Sequence, residues 1–309
     1  MNSDSRLTRK VGGSFLRGAM ESTMTIRQVI DTILTEVSAL PYPQTVDTIK
    51  AGDASQQVTG IVTTFLATRE VIDRAAALGA NLIITHEATF YSDSENTEWL
   101  QGDPVYIAKA QLIERHGIVI WRFHDFWHLY RPDGILTGLL KVLGWETYLL
   151  TEDLWVISER GREVLRTLDL ELLADSQRSY VCQIPPVSLI ELAQILKTRL
   201  NLQTVRVAGP DDMVCSRIWI LPGSPPSQME IGALGREDID VVVVGEVNEW
   251  ETPEYVRDAQ YTGIHRGLII LGHVNSEEAG MQWLAEWLRP RLPGITITHV
   301  PSGDPLRTL

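Results

Sequence analysis

The sequence predicts an α/β fold of two related lobes, each a mixed sheet flanked by helices. Two observations carry most of this. Runs of three or four consecutive Val, Ile and Leu residues end abruptly in polar residues or glycine, as in "LIITHE" and "VVVVGE". Such runs alternate with stretches of helical periodicity, the pattern of strands buried on both faces by helices. The third observation is an echo: the second half repeats the order of the first.

The elements follow in order. Periodic sequence starts near Met24 with "TIRQVIDTILTEV", which lines up Ile26, Val29, Ile30, Ile33 and Val37 on one helical face. "VTGIVTTFL" reads as a strand. "ATREVIDRAAALGA" reads as a helix capped by Thr68 and stopped near Gly79. "NLIITHE" is the next strand, "DPVYIAKAQLIERHG" a helix, "IVIWRFH" a strand and "GILTGLLKVLG" a helix that Asp133 can cap. "LWVIS" and "SYVCQI" read as strands, and "SLIELAQILKTRL" as an amphipathic helix. In the second half "SRIWILPG", "DIDVVVVGE" and "RGLIILGH" are strands. A short helix near "SQMEIGALG", then "ETPEYVRDAQY" and "EEAGMQWLAEWL", are its helices. "ANLIITHE" matches "DIDVVVVGE", and "GIVIWRFHDFWH" matches "RGLIILGHVNSE". The expected division is an extraneous tail over 1–23, a first lobe over 24–150 and a second over 151–309, with 265–309 placed to pack back on the first. Met20 or Met24 is the candidate natural start.

Composition narrows the partners. The chain has 309 residues and a formal net charge of −13. That charge disfavours nucleic acid, whose binding needs Lys and Arg to release counterions from phosphates. No apolar run approaches the ~18 residues of a membrane span. Cys182 and Cys215 fit no disulfide or CxxC framework. They are expected to be inert buried thiols in a cytoplasmic protein.

In open α/β sheets ligands collect at the carboxyl ends of strands. One strand here ends in His86 and Glu87, and another in His124 and Asp125, with His128 four residues after His124. In the second half a strand ends in Gly272 and His273, with Glu277 four residues on; Asn275 or Ser276 is expected to cap the helix that follows, with Glu278 completing the cap. Imidazole and carboxylate together are the ligand set of Zn, Mn and Fe. His86, Glu87, His128, His273 and Glu277 make five such groups, enough for two divalent ions if a carboxylate bridges them. Glu246 stands at a strand tip that matches Glu87. His116, His265 and His299 read as ordinary structural histidines. "LPGSPPSQ" reads as a plain turn, and there is no GxSxG element or Walker-type loop.

"ALGANLIITHEATFY", "HGIVIWRFHDFWH", "VVVVGEVNEW" and "LGHVNSEEAGMQWLAEWL" together resemble the Nif-three-like dinuclear-metal proteins, also called GTP cyclohydrolase 1 type 2-like, over about residues 24 to 300. The resemblance implies two divalent metals in a cleft between the lobes and a toroidal homohexamer. It places His86, His273 and Glu277 at metal positions directly. Glu87 stands where the family has a second histidine, and His128 where it has an aspartate. Glu246 matches the glutamate of the family's Gly-Glu element, and His124 a strand-end histidine. The implied function is a metal-dependent hydrolase or cyclohydrolase-like enzyme using a metal-bound hydroxide on a small-molecule substrate. In it Glu246 is the candidate general base, and His124 stands behind the ligands or carries protons. The alternative is a noncatalytic ring that senses metal or a ligand and binds protein partners.

Overall fold

The structure is a computed structural model that describes residues 24–37, 45–94, 96–150 and 180–308. The expectations for the tail over 1–23 and for the strand "LWVIS" fall outside these residues.

The first sheet holds β1 (Ile49–Ala51), β2 (Ile61–Thr64), β3 (Leu82–Thr85), β4 (Val119–Arg122) and β10 (Ile297–His299) in the order β1-β4-β3-β2-β10. β10, β2, β3 and β4 run parallel, and β1 closes one edge antiparallel to β4. The second sheet holds β5 (Tyr180–Ser188), β6 (Arg206–Ala208), β7 (Val214–Leu221), β8 (Val241–Val244) and β9 (Gly267–Ile270) in the order β5-β7-β8-β9-β6. Here β7, β8 and β9 are parallel, with an antiparallel strand on each side. In each sheet three parallel strands, β2–β4 in the first and β7–β9 in the second, are joined in succession through helices. α2 (Arg69–Ala77) and α3 (Pro104–His116) serve the first, and α7 (Ser227–Leu234) and α8 (Thr252–Tyr261) the second.

Strand alternation explains the continuous apolar runs. In β3, Leu82 and Ile84 face a core shared with Ile26, Val29, Ile30 and Ile33 of α1 (Ile26–Glu36). Ile83 faces the opposite core, with Val71, Ile72 and Ala75 of α2. In β8, Val241 and Val243 face Leu192 and Leu196 of α6 (Leu189–Arg199), while Val242 and Val244 face Val256 of α8. Both faces of each sheet are buried, so the strands are mostly apolar until they end, and buried Thr63 within β2 donates its hydroxyl to the Met281 carbonyl.

Two helices join the lobes. α5 (Gly134–Leu143) packs Ile135 into the first core and Leu136, Leu139, Leu140 and Leu143 into the second. Full burial of each such leucine contributes about 1.5–3 kcal/mol. α9 (His273–Leu288) follows β9 yet buries Met281, Leu284 and Leu288 in the first core. The two helices touch backbone to backbone: a Cβ on Gly138 would lie 2.2 Å from the Ala279 carbonyl oxygen, and one on Gly280 2.4 Å from the Ile135 Cα. This contact fixes the loop after β4 against the loop after β9.

Asp103 caps α3, which ends at His116 with Gly117 as its C-cap, and Thr68 caps α2, as the sequence implies. α9 departs from expectation. It begins at His273 with Gly272 as N-cap, and neither Asn275 nor Ser276 caps it. Gly272 takes φ +96°, a left-handed conformation open to glycine, so the strand turns directly into the helix. His273 and Glu277 thereby sit one helical turn apart on the same face. The freed side chains work elsewhere. Ser276 Oγ donates to the His273 carbonyl and accepts from the Gly223 N–H, and Asn275 Nδ2 donates to Leu271 O and Asp304.

Cys182 and Cys215 are buried free thiols, and burial pushes both up to about 12. Among the described residues no helix is long and apolar enough to cross a membrane.

Candidate metal centre

The carboxyl ends of β3, β4, β8 and β9 meet in one cleft. β3 delivers His86 and Glu87. The turn after β4 delivers His124, and the one-and-a-half-turn helix α4 (Asp125–Leu129) delivers His128. β8 delivers Glu246, and the start of α9 delivers His273 and Glu277. The structure brings all seven sequence-selected residues together.

His86 is the innermost, fully buried at 0% exposure. Its Nδ1 lies 3.3 Å from the Phe123 carbonyl oxygen. A carbonyl only accepts, so Nδ1 carries the proton and Nε2 a lone pair. That Nε2 is 3.4 Å from Glu277 Oε2, and both atoms are buried with no hydrogen-bond partner. Burial, followed by the neighbouring imidazoles of His124 and His128, holds the His86 pKa well below its ordinary value, so the ring is neutral. Two buried lone-pair atoms thus face each other where only a cation satisfies both.

The other three imidazoles are tied in the same way. His124 Nδ1 lies 3.0 Å from Asp125 Oδ1, and His128 Nδ1 2.9 Å from Asp133 Oδ2. His273 Nδ1 is held by Glu246 Oε1. A carboxylate on Nδ1 orients the ring and leaves Nε2 as its ligand atom, the arrangement of metal-binding histidines. His273 Nε2 lies 3.1 Å from Glu277 Oε2 and 3.6 Å from Glu87 Oε1. His124 Nε2 is 3.8 Å from the same Glu87 oxygen. Two triads, His86–His124–His128 and His86–Glu87–Glu277, have ligand atoms within 4.8 Å of one another.

Without metal, protons compensate the carboxylates. Burial alone would lower the His128 pKa; the Asp133 carboxylate, its hydrogen bond, and Glu277 outweigh that and raise it to about 9. At His273 burial is again opposed, here by Glu277 and then Glu87 and Glu246, and the pKa also rises to about 9.

Several supporting residues were not singled out from sequence. Arg122, the last residue of β4, is buried at 1% exposure and donates from Nη2 to Glu87 Oε2 at 3.0 Å and to Asp93 Oδ1 at 2.9 Å. Its Nε donates to the His86 carbonyl. It thus occupies one Glu87 oxygen and leaves Oε1 facing the histidines. A lone arginine closing an apolar strand is the signal that could have found it. Asp47 accepts from the backbone N–H groups of His124, Asp125 and Phe126, fixing the turn that carries two ligands. Asp133, expected as a cap, does cap α5 through Leu136 N, and its second oxygen also holds His128. The "LPGSPPSQ" turn supplies a wall. A Cβ on Gly223 would lie 2.4 Å from Glu277 Oε1.

The strand registers refine the echo between the halves. Thr85 pairs with Arg122 in the first sheet and Val244 with Ile270 in the second. Counting from those ends, Glu87 corresponds to Glu246 and His86 to Gly245. His124 corresponds to Gly272, so His273 is matched by Asp125, one residue later than the sequence alignment implied.

Known proteins resemble this chain in sequence and in fold. A chain from Clostridium perfringens named GTP cyclohydrolase 1 type 2 homolog is 23% identical over 244 residues, covering 79% of this chain and 83% of that one. A protein of the same name from Clostridium acetobutylicum is 23% identical over 230 residues, 74% and 76% of the two chains. The crystal structure of a Bacillus cereus protein related to NIF3 superposes with a TM-score of 0.70 at 14% identity, over 93% of this chain and 100% of that one. A Staphylococcus aureus hypothetical protein gives a TM-score of 0.66 at 20% identity over 93% and 99%. The model of the Duf34/NIF3 (NGG1p interacting factor 3) family matches residues 24–305, and the chain belongs to that family.

Proposed function

We propose that this chain holds two divalent ions in the cleft and acts as a metal-dependent hydrolase of the cyclohydrolase type. The carrying observation is the pair His86 Nε2 and Glu277 Oε2, buried, without a hydrogen bond and 3.4 Å apart. The name shared by the clostridial relatives supports the reaction class. His86, Glu87, His128, His273 and Glu277 hold the ions, joined by His124, whose Nε2 faces the same cleft. Divalent ions held there would supply an acidified water, its pKa brought toward ~7, and would polarise the bond to be cleaved. The protein does the rest. Arg122 presents one Glu87 oxygen, Asp125 and Asp133 orient His124 and His128, and the fully buried floor at His86 excludes water from below. Glu246, half exposed at the mouth, orients His273 and is the group placed to take a proton from incoming water. The relation between Glu87 and His128 is a swap of carboxylate for imidazole and back, which keeps the ligand count and charge of the set.

The family description, an interacting factor, supports a second reading: a noncatalytic hexameric ring that binds metal or a ligand and docks protein partners. Metal analysis of protein purified without chelator tests the first reading. Two-ion chemistry requires about two transition ions per chain; none would sink it. Turnover of phosphoesters, nucleotides and cyclic amides by loaded protein and by His273→Ala then separates the readings. An enzyme loses at least about 100-fold with this ligand removed, since even groups behind a ligand are worth 10–100-fold. No turnover, together with altered partner binding by the variant, favours the ring. The mass in solution, one or six times 34.6 kDa, checks the assembly.

A further inference from the structure

The geometry points to two chemically unequal ion positions: one built of three imidazoles, the other of two carboxylates and one imidazole. This rests on the dinuclear reading above and specifies which ions it takes. We infer a nitrogen-bound transition ion held tightly, of the zinc class, beside an exchangeable ion of the oxygen-preferring manganese or magnesium class.

The partition follows from counting lone pairs. His86 has its Nδ1 committed to the Phe123 carbonyl, so it offers one nitrogen and serves one ion. Its ring stacks on His124 at 4.5 Å between centroids and lies 5.0 Å from His128, with His124 and His128 4.9 Å apart. These three form the cluster of nitrogen ligand atoms. His273 stands apart from it. Its Nε2 is flanked by Glu277 Oε2 at 3.1 Å and Glu87 Oε1 at 3.6 Å. Arg122 sharpens the division by keeping Glu87 Oε2 out of the cleft. The same two carboxylate oxygens lie 3.4 Å from His86 Nε2 and 3.8 Å from His124 Nε2, so they stand between the two positions and can bridge them.

Ligand chemistry then separates the ions. Three neutral imidazoles suit zinc and its neighbours; carboxylate oxygens with open positions suit manganese and magnesium. His128 makes this asymmetry. With aspartate there, as in the pattern the chain resembles, the first position would have two imidazoles and one carboxylate, nearer to the one imidazole and two carboxylates of the second.

The test uses the full chain, stripped with chelator and titrated with zinc and then with manganese under buffered free zinc. The expected result is a first zinc step at least 100-fold tighter than the second. Manganese then displaces only the second, leaving one of each per chain. The paramagnetic resonance signal should be that of isolated manganese, without manganese–manganese coupling. Two zinc steps within tenfold of each other, or displacement of both ions or of neither, overturn the inference. His128→Asp, with folding checked by circular dichroism, should bring the two steps at least tenfold closer; an unchanged ratio overturns it too. Should His128→Asp fail to fold, His124→Asn is read the same way. Wild-type protein that binds no metal refutes the dinuclear reading instead, so the two failures are distinguishable.

Discussion

The two lobes present the same strand–helix units to the cleft but furnish them differently. At the two tip positions where the first lobe has His86 and His124, the second has Gly245 and Gly272. A Cβ on Gly245 would lie 2.3 Å from the Gly223 carbonyl oxygen and 2.6 Å from Ser276 Oγ. The second lobe therefore brings backbone close and lets α9 supply its side chains from the helix; the first lobe fills the space with imidazoles. Two equal sets of side chains would not fit one cleft. A repeated fold serves one shared site by becoming asymmetric at its tips.

The strongest way to break this comparison is at the last strand residue. Arg122 in the first lobe corresponds to Ile270 in the second, and Ile270 carries no charge because Glu246, half exposed, is solvated. Arg122→Ile should destabilise the chain by about 3–5 kcal/mol, the cost of leaving a buried partner uncompensated. Urea denaturation measures this. Adding Glu87→Gln should recover a large part of the loss. A double variant no better than the single would show that Arg122 acts through its backbone contacts and not through Glu87.

A smaller effect is expected from making the second lobe resemble the first. Gly245→Ala forces the Gly223 turn away from Glu277 and should cost about 1–3 kcal/mol by overpacking. Metal affinity should fall with it. Unchanged affinity and stability would mean that the close approach is slack.

The smallest effect is the pH dependence of the chelator-treated protein. His128 and His273 have folded pKa values raised to about 9 from the ordinary 6.5. Their contribution is fully present below about 6.5 and is lost as pH rises through about 9, on the order of 1–2 kcal/mol where the cleft mouth admits water. His86, buried, and His299, lowered by burial to about 4, act in the opposite sense: they resist protonation, so stability falls as pH drops below 6.5. Denaturation midpoints from pH 5 to 10 should therefore peak near neutrality. A flat profile between pH 7 and 10 would contradict the proton-filled cleft.

Much of this was legible from sequence because burial on both faces makes a strand a plain apolar run. β2, β3, β4, β7, β8 and β9 all announce themselves in that way, and the polar tips of β3, β4, β8 and β9 mark the cleft. The strands β1, β6 and β10 do not: each is three residues long at a sheet edge, none is fully buried, and so short a stretch has no period to read. The site's imidazoles and carboxylates were visible as side chains out of place. Their supports were not, since Arg122 meets Glu87 across 35 residues and Asp47 meets His124 across 77. The start of α9 was misjudged because a sequence pattern favours a hydroxyl or amide cap, whereas a left-handed glycine needs none.

β10 has a consequence for the order in which the protein is made. Its partner, β2, lies more than 230 residues earlier, and α9, which carries His273 and Glu277, must seat on the first lobe before β10 can join. During synthesis the first lobe waits with one sheet edge bare, an invitation to pair with another nascent chain. His273 and Glu277 reach the cleft only once the helix that carries them, which ends at Leu288, has emerged. A metal held by the proposed ligands would therefore enter late, on a nearly finished polypeptide, and contacts so distant in sequence make that final closure slow. Cells that produce this protein faster than it can close would be expected to accumulate it as metal-free aggregate, with the defect curable by slower synthesis and not by more metal.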